Sequence, residues 1–293
     1  MSHKENDRSQ NNISLHLDGY SGYSVLLSGN ETTGYEVIKQ SVSEDKNSRL
    51  QHQHLKHVFF QGLSAAPFGV PVVKNHDLEK GLFKYTYCFI EGVSLIKKIE
   101  ICSQDELVDL SEKIIKILLY FKESKLHYET PSEKNLSSYL MSKIEHNSKS
   151  CNLDSKIRNK LIEMAKSFVC DGQTLCHGDF TFDNIIVDSQ NKLWLIDYLD
   201  VFPHYWLDIS KLFQDLDGNW FEIKHNTKLP QNKLLFMRNY LFEKISKIDP
   251  EYAKYHRFLL AVSFLRILPY AKSTNDRDLI LEKIKYFVEG GLV

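Results

Sequence analysis

Apolar and polar residues first alternate at Ile13-Ser14-Leu15-His16-Leu17, and the alternation returns at Ser24-Val25-Leu26-Leu27 and at Tyr35-Glu36-Val37-Ile38-Lys39. Period two marks a strand with one covered face. Glycine-bearing turns, residues 18–22 and Gly29-Asn30, separate the three runs, so the pattern predicts an antiparallel meander. Residues 1–12 are polar and carry no apolar period, which predicts disorder. From 46 to 61 the period becomes helical, with Leu50, Leu55, Val58 and Phe59 roughly on one side. His52, His54 and His57 fall on this helix. Positions 52 and 54 point to different sides, so no shared metal site is expected and the three read as surface residues. Strands are predicted at 70–73 and 83–90, and Glu91-Gly92 then breaks the pattern.

Beyond that break the chain turns helical. Ser103-Gln104-Asp105-Glu106 forms a capping box that opens a helix to about 125, with Leu107, Leu110, Ile114, Ile117, Leu118 and Phe121 on one face. Helices are predicted at 131–146 and 153–169, joined by a polar link at 147–152. Apolar runs at 184–187 and 193–196 flank the polar turn 188–191 and predict a β-hairpin. Four more helices follow, at 206–216, 231–248, 250–268 and 276–288. The outline is an α+β chain. A small antiparallel β lobe spans 13–91, and a larger helical lobe spans 92–293 with the hairpin embedded in it.

Composition narrows the function classes. The 293 residues are 42% hydrophobic, enough for sizeable cores, and 37 basic residues balance 38 acidic ones. That balance argues against a general nucleic-acid or membrane-surface binder. Five scattered cysteines without C-x-x-C spacing point to reduced thiols and a cytoplasmic protein, and no signal-peptide core precedes the first strand. The most apolar stretch, 258–270, is short and contains Arg266, so no membrane span is expected. Oligomeric state stays open.

The hairpin carries the chemistry. His177-Gly178-Asp179 and Asn184 stand at one of its open ends and Asp197 at the other. A hairpin brings its open ends together, so two carboxylates and an amide should meet. Such a set can hold Mg²⁺ and position a hydroxyl for phosphoryl transfer.

The spacing H-G-D-x-x-x-x-N at 177–184, followed by Leu195-Ile196-Asp197-Tyr198, resembles the aminoglycoside phosphotransferase and choline kinase superfamily. The resemblance is specific over 175–216. It is supported more loosely by Lys39, by Phe89-Ile90-Glu91-Gly92 and by the order of helices. It implies a bilobal protein-kinase-like fold and phosphorylation of a small molecule with ATP, GTP being the alternative donor. It makes Asp179 the catalytic base and Asn184 and Asp197 the Mg²⁺ ligands. Lys39 would neutralise the nucleotide phosphates, Gly19 and Gly22 would cover them, and the backbone of Phe89, Ile90 and Glu91 would meet the adenine edge. His177 and Asp208 would support the catalytic loop, and Asp183 is left as a turn residue.

Two departures matter. Helix 46–61 carries no glutamate to pair with Lys39, leaving Gln51, Gln53 or the preceding Glu44. Gly178 replaces the arginine with which protein kinases engage a phosphorylated activation loop, and the interval from Asp197 to Asp208 is too short for such a loop. A small-molecule acceptor is therefore expected: a sugar, an aminoglycoside or an amino alcohol. A bacterial surface-polysaccharide sugar is suggested by likeness to proteins of that setting. Asp200, Asp215, Asp217 and Glu222 are candidate acids for a cationic acceptor. Tyr205, Trp206, Trp220 and Phe221 are candidates for an aromatic cage. The alternative from another class is a pseudokinase acting as a nucleotide-binding regulatory module.

Overall fold

Strands β1 (Ile13–Leu17), β2 (Tyr23–Asn30) and β3 (Gly34–Ser41) pair antiparallel in sequence order in the computed structural model, which describes residues 13–17, 23–30, 34–124, 135–170 and 172–290. Helix α1 (Asn47–Gln61) follows, and then β4 (Val73–Glu79) and β5 (Leu82–Cys88) complete a sheet of order β1-β2-β3-β5-β4. The expected meander is present. The expected disorder at 1–12 and the glycine turn with Gly19 and Gly22 lie outside the described residues.

The fourth strand differs from expectation. It begins where the apolar run 70–73 ends and continues through Lys74, Asn75, His76, Asp77 and Leu78. β4 is an edge strand whose residues from Lys74 onward are exposed, so no covered face imposes alternation on them. Tyr23, Val37, Leu50, Phe83, Tyr85 and Tyr87 form the core between the sheet and α1. His54 and His57 join it instead of facing solvent. The His57 ring lies 5.1 Å from Tyr87 and the His54 ring 5.2 Å from Tyr85, and His57 Nε2 meets the Pro71 carbonyl at 2.8 Å. The i, i+3 spacing puts both on the sheet-facing stripe of α1, and an imidazole with a carbonyl partner can be buried there.

The chain forms two compact units. One ends at Glu91 and omits Ala65–Phe68; the other comprises Ala65–Phe68 and everything from Gly92 onward. Phe68 belongs to the second unit because its ring packs 5.6 Å from Phe121.

In that second unit β6 (Val93–Ser94) leads into α2 (Leu95–Ile101), α3 (Gln104–Glu123), α4 (Leu136–Ser150) and α5 (Ser155–Ser167). The hairpin β7 (Ile185–Val187) and β8 (Leu193–Leu195) pairs with β6 in the order β6-β7-β8. Helices α6 (Tyr205–Leu216), α7 (Trp220–His225), α8 (Gln231–Ile248), α9 (Pro250–Ile267) and α10 (Thr274–Glu289) complete it. The capping box is formed in both directions: Glu106 N–H donates to Ser103 Oγ at 3.2 Å and Ser103 N–H to Glu106 Oε2 at 2.8 Å. Helix α4 runs on to Ser150, through residues expected to form a polar link. Asn147 is buried there and donates to the Leu265 carbonyl at 3.2 Å, so a tertiary partner sustains the polar turn.

Helix α6 is buried along its whole length, polar residues included. It packs across α9, held by His256 to Asp217 at 3.0 Å, by Ser210 to Ser263 at 2.9 Å and by Trp206 Nε1 to Asp249 at 2.9 Å. Among the described residues no helix is long and apolar enough to cross a membrane, and all five cysteines are free.

Candidate active site

The site is built from a loop, a hairpin end and one helix face. Two backbone hydrogen bonds fasten the open end of the β7–β8 hairpin: Ile196 N–H to Asn184 O and Leu199 N–H to His177 O, both 3.1 Å. Asp197 lies between those two anchors, so the structure brings it to Asn184 and to the His177–Asp179 loop. Its φ of 60° is left-handed, a conformation that side chains other than glycine adopt rarely and that aspartate tolerates.

Helix α6 grips the loop. Asp208, fully buried, accepts His177 N–H on Oδ2 at 2.6 Å and Gly178 N–H on Oδ1 at 2.7 Å. One turn on, Lys211 Nζ lies 3.0 Å from Asp179 Oδ1 and donates to Gln214 Oε1 at 2.8 Å. A further turn on, Asp215 Oδ2 accepts Phe182 N–H at 2.9 Å. Positions 208, 211 and 215 form one stripe of the helix, so a single face holds the loop at three points. Gly178 is required where the loop turns. Its φ is 92°, and a Cβ there would fall 2.5 Å from the Leu199 carbonyl oxygen. His177 is buried and stacks 4.6 Å from Tyr198, while its Nδ1 accepts Asp179 N–H at 3.2 Å. That contact gives His177 an orienting position.

Asp179 is also held from within the loop. Asn184 Nδ2 donates to its carboxylate Oδ2 at 2.9 Å and to its carbonyl at 2.8 Å. Burial pushes the Asp179 carboxyl up, but Lys211 above all, with His177 and Arg266, pushes it down further. The carboxyl is therefore held below its ordinary value and is ionised at neutral pH. Asp215 behaves oppositely. Burial raises it to about 7, reinforced by the neighbouring Asp183 carboxylate. Asp183 is more than a turn residue: Lys224 lies 2.5 Å away and His225 Nε2 3.0 Å away.

The donor set fits Mg²⁺ in its chemistry. With its amide nitrogen committed to Asp179, Asn184 retains Oδ1, and Asp197, on the strand end anchored to Asn184, would add a carboxylate; both are hard oxygen donors. Among the described residues no three His, Cys, Asp or Glu side chains gather into a metal cage. Mg²⁺ needs none when phosphate oxygens and water complete its shell.

In the N-terminal unit Lys39 stands on β3 between Val25 and Tyr85 of the neighbouring strands and is buried, its ammonium 5.4 Å from the centre of the Tyr23 ring. Of the three candidate partners only Gln53 is turned inward, and its amide has no hydrogen-bond partner among the described residues. Gln51 is exposed, and the Glu44 carboxylate lies against Gly81 on the β4–β5 turn. Phe89 N–H is bonded to the Tyr35 carbonyl at 3.0 Å.

The candidate acceptor groups are mostly occupied by the protein itself. Asp217 pairs with Arg238 and His256, and Glu222 accepts Leu229 N–H and Gln231 Nε2. Tyr205 and Trp206 are buried and both donate to Asp249. Lys211 was not singled out by the sequence. Its i+3 spacing from Asp208 was the available sign, and which element faced Asp179 was not.

No protein-family model and no curated protein matches the chain in sequence. Solved structures match it over nearly its full length. A thermostable mutant of aminoglycoside phosphotransferase APH(4)-Ia is 12% identical, with a TM-score of 0.68 over 95% of this chain and 94% of that one. Amicoumacin kinase hAmiN, solved with AMP-PNP, Ca²⁺ and Ami, is 11% identical, with a TM-score of 0.61 over 95% and 88%. APH(2")-IIia, solved with GDP and kanamycin, is 16% identical, with a TM-score of 0.60 over 97% and 94%. The fold expected from the motif at 177–184 is thus the fold observed: the protein has the bilobal, kinase-like fold of the aminoglycoside phosphotransferases.

Proposed function

We propose that this protein is an ATP- and Mg²⁺-dependent phosphotransferase that moves a γ-phosphate to a hydroxyl of a small molecule. Asp179 accepts the hydroxyl proton while the oxygen attacks the γ-phosphorus, the bond to the β-phosphate oxygen breaks and ADP leaves. Asn184 and Asp197 hold the metal ion, which supplies neutralisation of phosphate charge. Lys39 binds the phosphates, Gly19 and Gly22 cover them, and the backbone at Phe89, Ile90 and Glu91 meets the base. Asp208 and His177 keep the loop in shape.

The observation that carries this reading is the double hold on Asp179. Asn184 and Lys211 fix its carboxylate from two sides, and Asp208 fixes the two residues before it. A proton acceptor that must meet a hydroxyl within hydrogen-bond reach gains most from such preorganisation. Its depressed pKa keeps it in the accepting form at neutral pH.

Release of ADP from Mg²⁺-ATP, measured against a panel of alcohols, tests the proposal. Turnover that disappears in Asp179→Asn while nucleotide binding persists is the expected result. The inward-facing Gln53, standing in a helix without glutamate, favours the second reading, a nucleotide-binding pseudokinase. Metal-independent nucleotide binding with no turnover on any alcohol would select that reading instead.

A further inference from the structure

Gln53 of α1 is 1% exposed, and neither Oε1 nor Nε2 of its amide has a hydrogen-bond partner among the described residues. The two histidines buried on the same stripe are accounted for by the rings of β5 and by the Pro71 carbonyl. A buried amide left wholly unpaired is costly where a leucine of similar volume would not be, so Gln53 needs a reason beyond packing.

The contacts of α1 fix what Gln53 lies over. At the start of the helix Asn47 Oδ1 accepts Phe83 N–H at 2.9 Å and the Ser41 hydroxyl. Further along, the His57 ring lies against Tyr87, which pairs with Val37. Residues 53 and 54 therefore cross the row between, in which Tyr85 pairs with Lys39. Val37, Lys39 and Ser41 alternate on β3 and all three are buried, so they share the face that α1 covers. The His54 ring lies against Tyr85 and, at 4.6 Å, against His76 of β4. Gln53 is turned about 100° from His54 and is buried too, so it occupies the opposite flank of the helix, over β3 and Lys39.

We infer that Gln53 and Lys39 form one grip for a phosphate group: Gln53 Oε1 accepts an N–H of the ammonium, and Gln53 Nε2 and the ammonium donate together to the phosphate oxygens. An ammonium carries three donors and no acceptor, whereas an amide carries one acceptor oxygen and two donors. Only an oxyanion beside the pair satisfies both residues, and hydrogen bonds to a charged oxygen are the strong ones. A glutamate at this position would hold the ammonium equally well, but it would cancel the charge and set an acceptor against the phosphate. The inference rests on the reading of Lys39 as the phosphate ligand. It holds for a kinase and for a nucleotide-binding module alike.

Calorimetric titration of the full chain with ATP, adenosine and tripolyphosphate tests this, alongside thermal unfolding without ligand. Gln53→Leu should raise Kd for ATP and for tripolyphosphate about tenfold, the loss of one hydrogen bond to a charged group, and leave adenosine unaffected. Its Tm without ligand should be unchanged or higher, because the unpaired amide is gone. Gln53→Glu should weaken the two phosphate probes as well, which a residue needed only to hold Lys39 would not do. Lys39→Met should weaken both, and adding Gln53→Leu to it should cost little more, since the two act as a unit. The inference is overturned if Gln53→Leu lowers Tm, weakens adenosine as much as ATP or leaves both phosphate probes unchanged. Unaltered or tighter phosphate binding in Gln53→Glu, or additive losses in the double variant, would overturn it too. If Lys39→Met leaves ATP and tripolyphosphate binding intact, or neither binds the native protein, the reading of Lys39 fails first and the grip falls with it.

Discussion

Asp208→Asn isolates the contribution of the α6 grip without changing its shape. In the native protein each carboxylate oxygen accepts one buried backbone N–H, from His177 at 2.6 Å and from Gly178 at 2.7 Å. Asparagine fills the same volume, so no cavity opens. One oxygen becomes an NH₂ group, a donor set against a donor. The surviving bond changes from charge-assisted to neutral. A hydrogen bond to a charged group contributes about 1.5–3 kcal/mol, and a buried N–H left unpaired costs about 1–3 kcal/mol. The two overlap, because the same N–H is counted in each, so the expected loss is about 3 kcal/mol. That is a large share of the total for a domain stable by about 5–15 kcal/mol. Equilibrium urea unfolding followed by far-UV circular dichroism measures it as a lower midpoint at unchanged slope. ADP release should fall alongside, because Asp179 follows the two gripped residues directly. A midpoint shift worth less than about 0.5 kcal/mol would refute the claim that this carboxylate organises the loop.

Three further outcomes follow from the same geometry. Gly178→Ala should destabilise by about 2 kcal/mol or more, since the backbone is left-handed and the new methyl meets the Leu199 carbonyl; a variant with native Tm would contradict the observed turn. Asp215 has its folded pKa raised from 3.8 to about 7, so its protonated form is the one the fold favours. Stability from this residue is full below about pH 4 and declines as pH rises through 7, by up to about 4 kcal/mol. Asp215→Asn should therefore gain on the wild type between pH 5 and pH 8 in denaturant titrations, and a pH-independent difference would count against the assignment. Ser103→Ala should cost about 1 kcal/mol through loss of the cap on α3, read from the same titrations; no change would mean that water replaces the cap.

The hairpin, the capping box and most helices were legible in the chain because their causes are local. The apolar runs at Ile185–Val187 and Leu193–Leu195, the polar turn between them and the Ser103–Glu106 pair each act within a few residues. Where partners are distant, local reading failed in a consistent way. The strand Val73–Glu79 is polar because its residues from Lys74 onward stay exposed in the folded sheet. His54 and His57 are buried because β5 presents aromatic rings to them. Asn147 stays helical because Leu265 accepts its amide.

For the site, the sequence alone determined which loop is proposed to carry the chemistry. The spacing of His177, Gly178, Asp179 and Asn184, with Asp197 across a hairpin, follows from residue identity and a short closed turn. Tertiary structure decided what surrounds that loop. Asp208, Lys211 and Asp215 share a face by helical spacing. That this face meets Asp179 depends on how α6 packs against the 177–182 loop. Charge placed by packing has no local sequence pattern, so the loop could be read from the chain and the electrostatic setting of Asp179 could not.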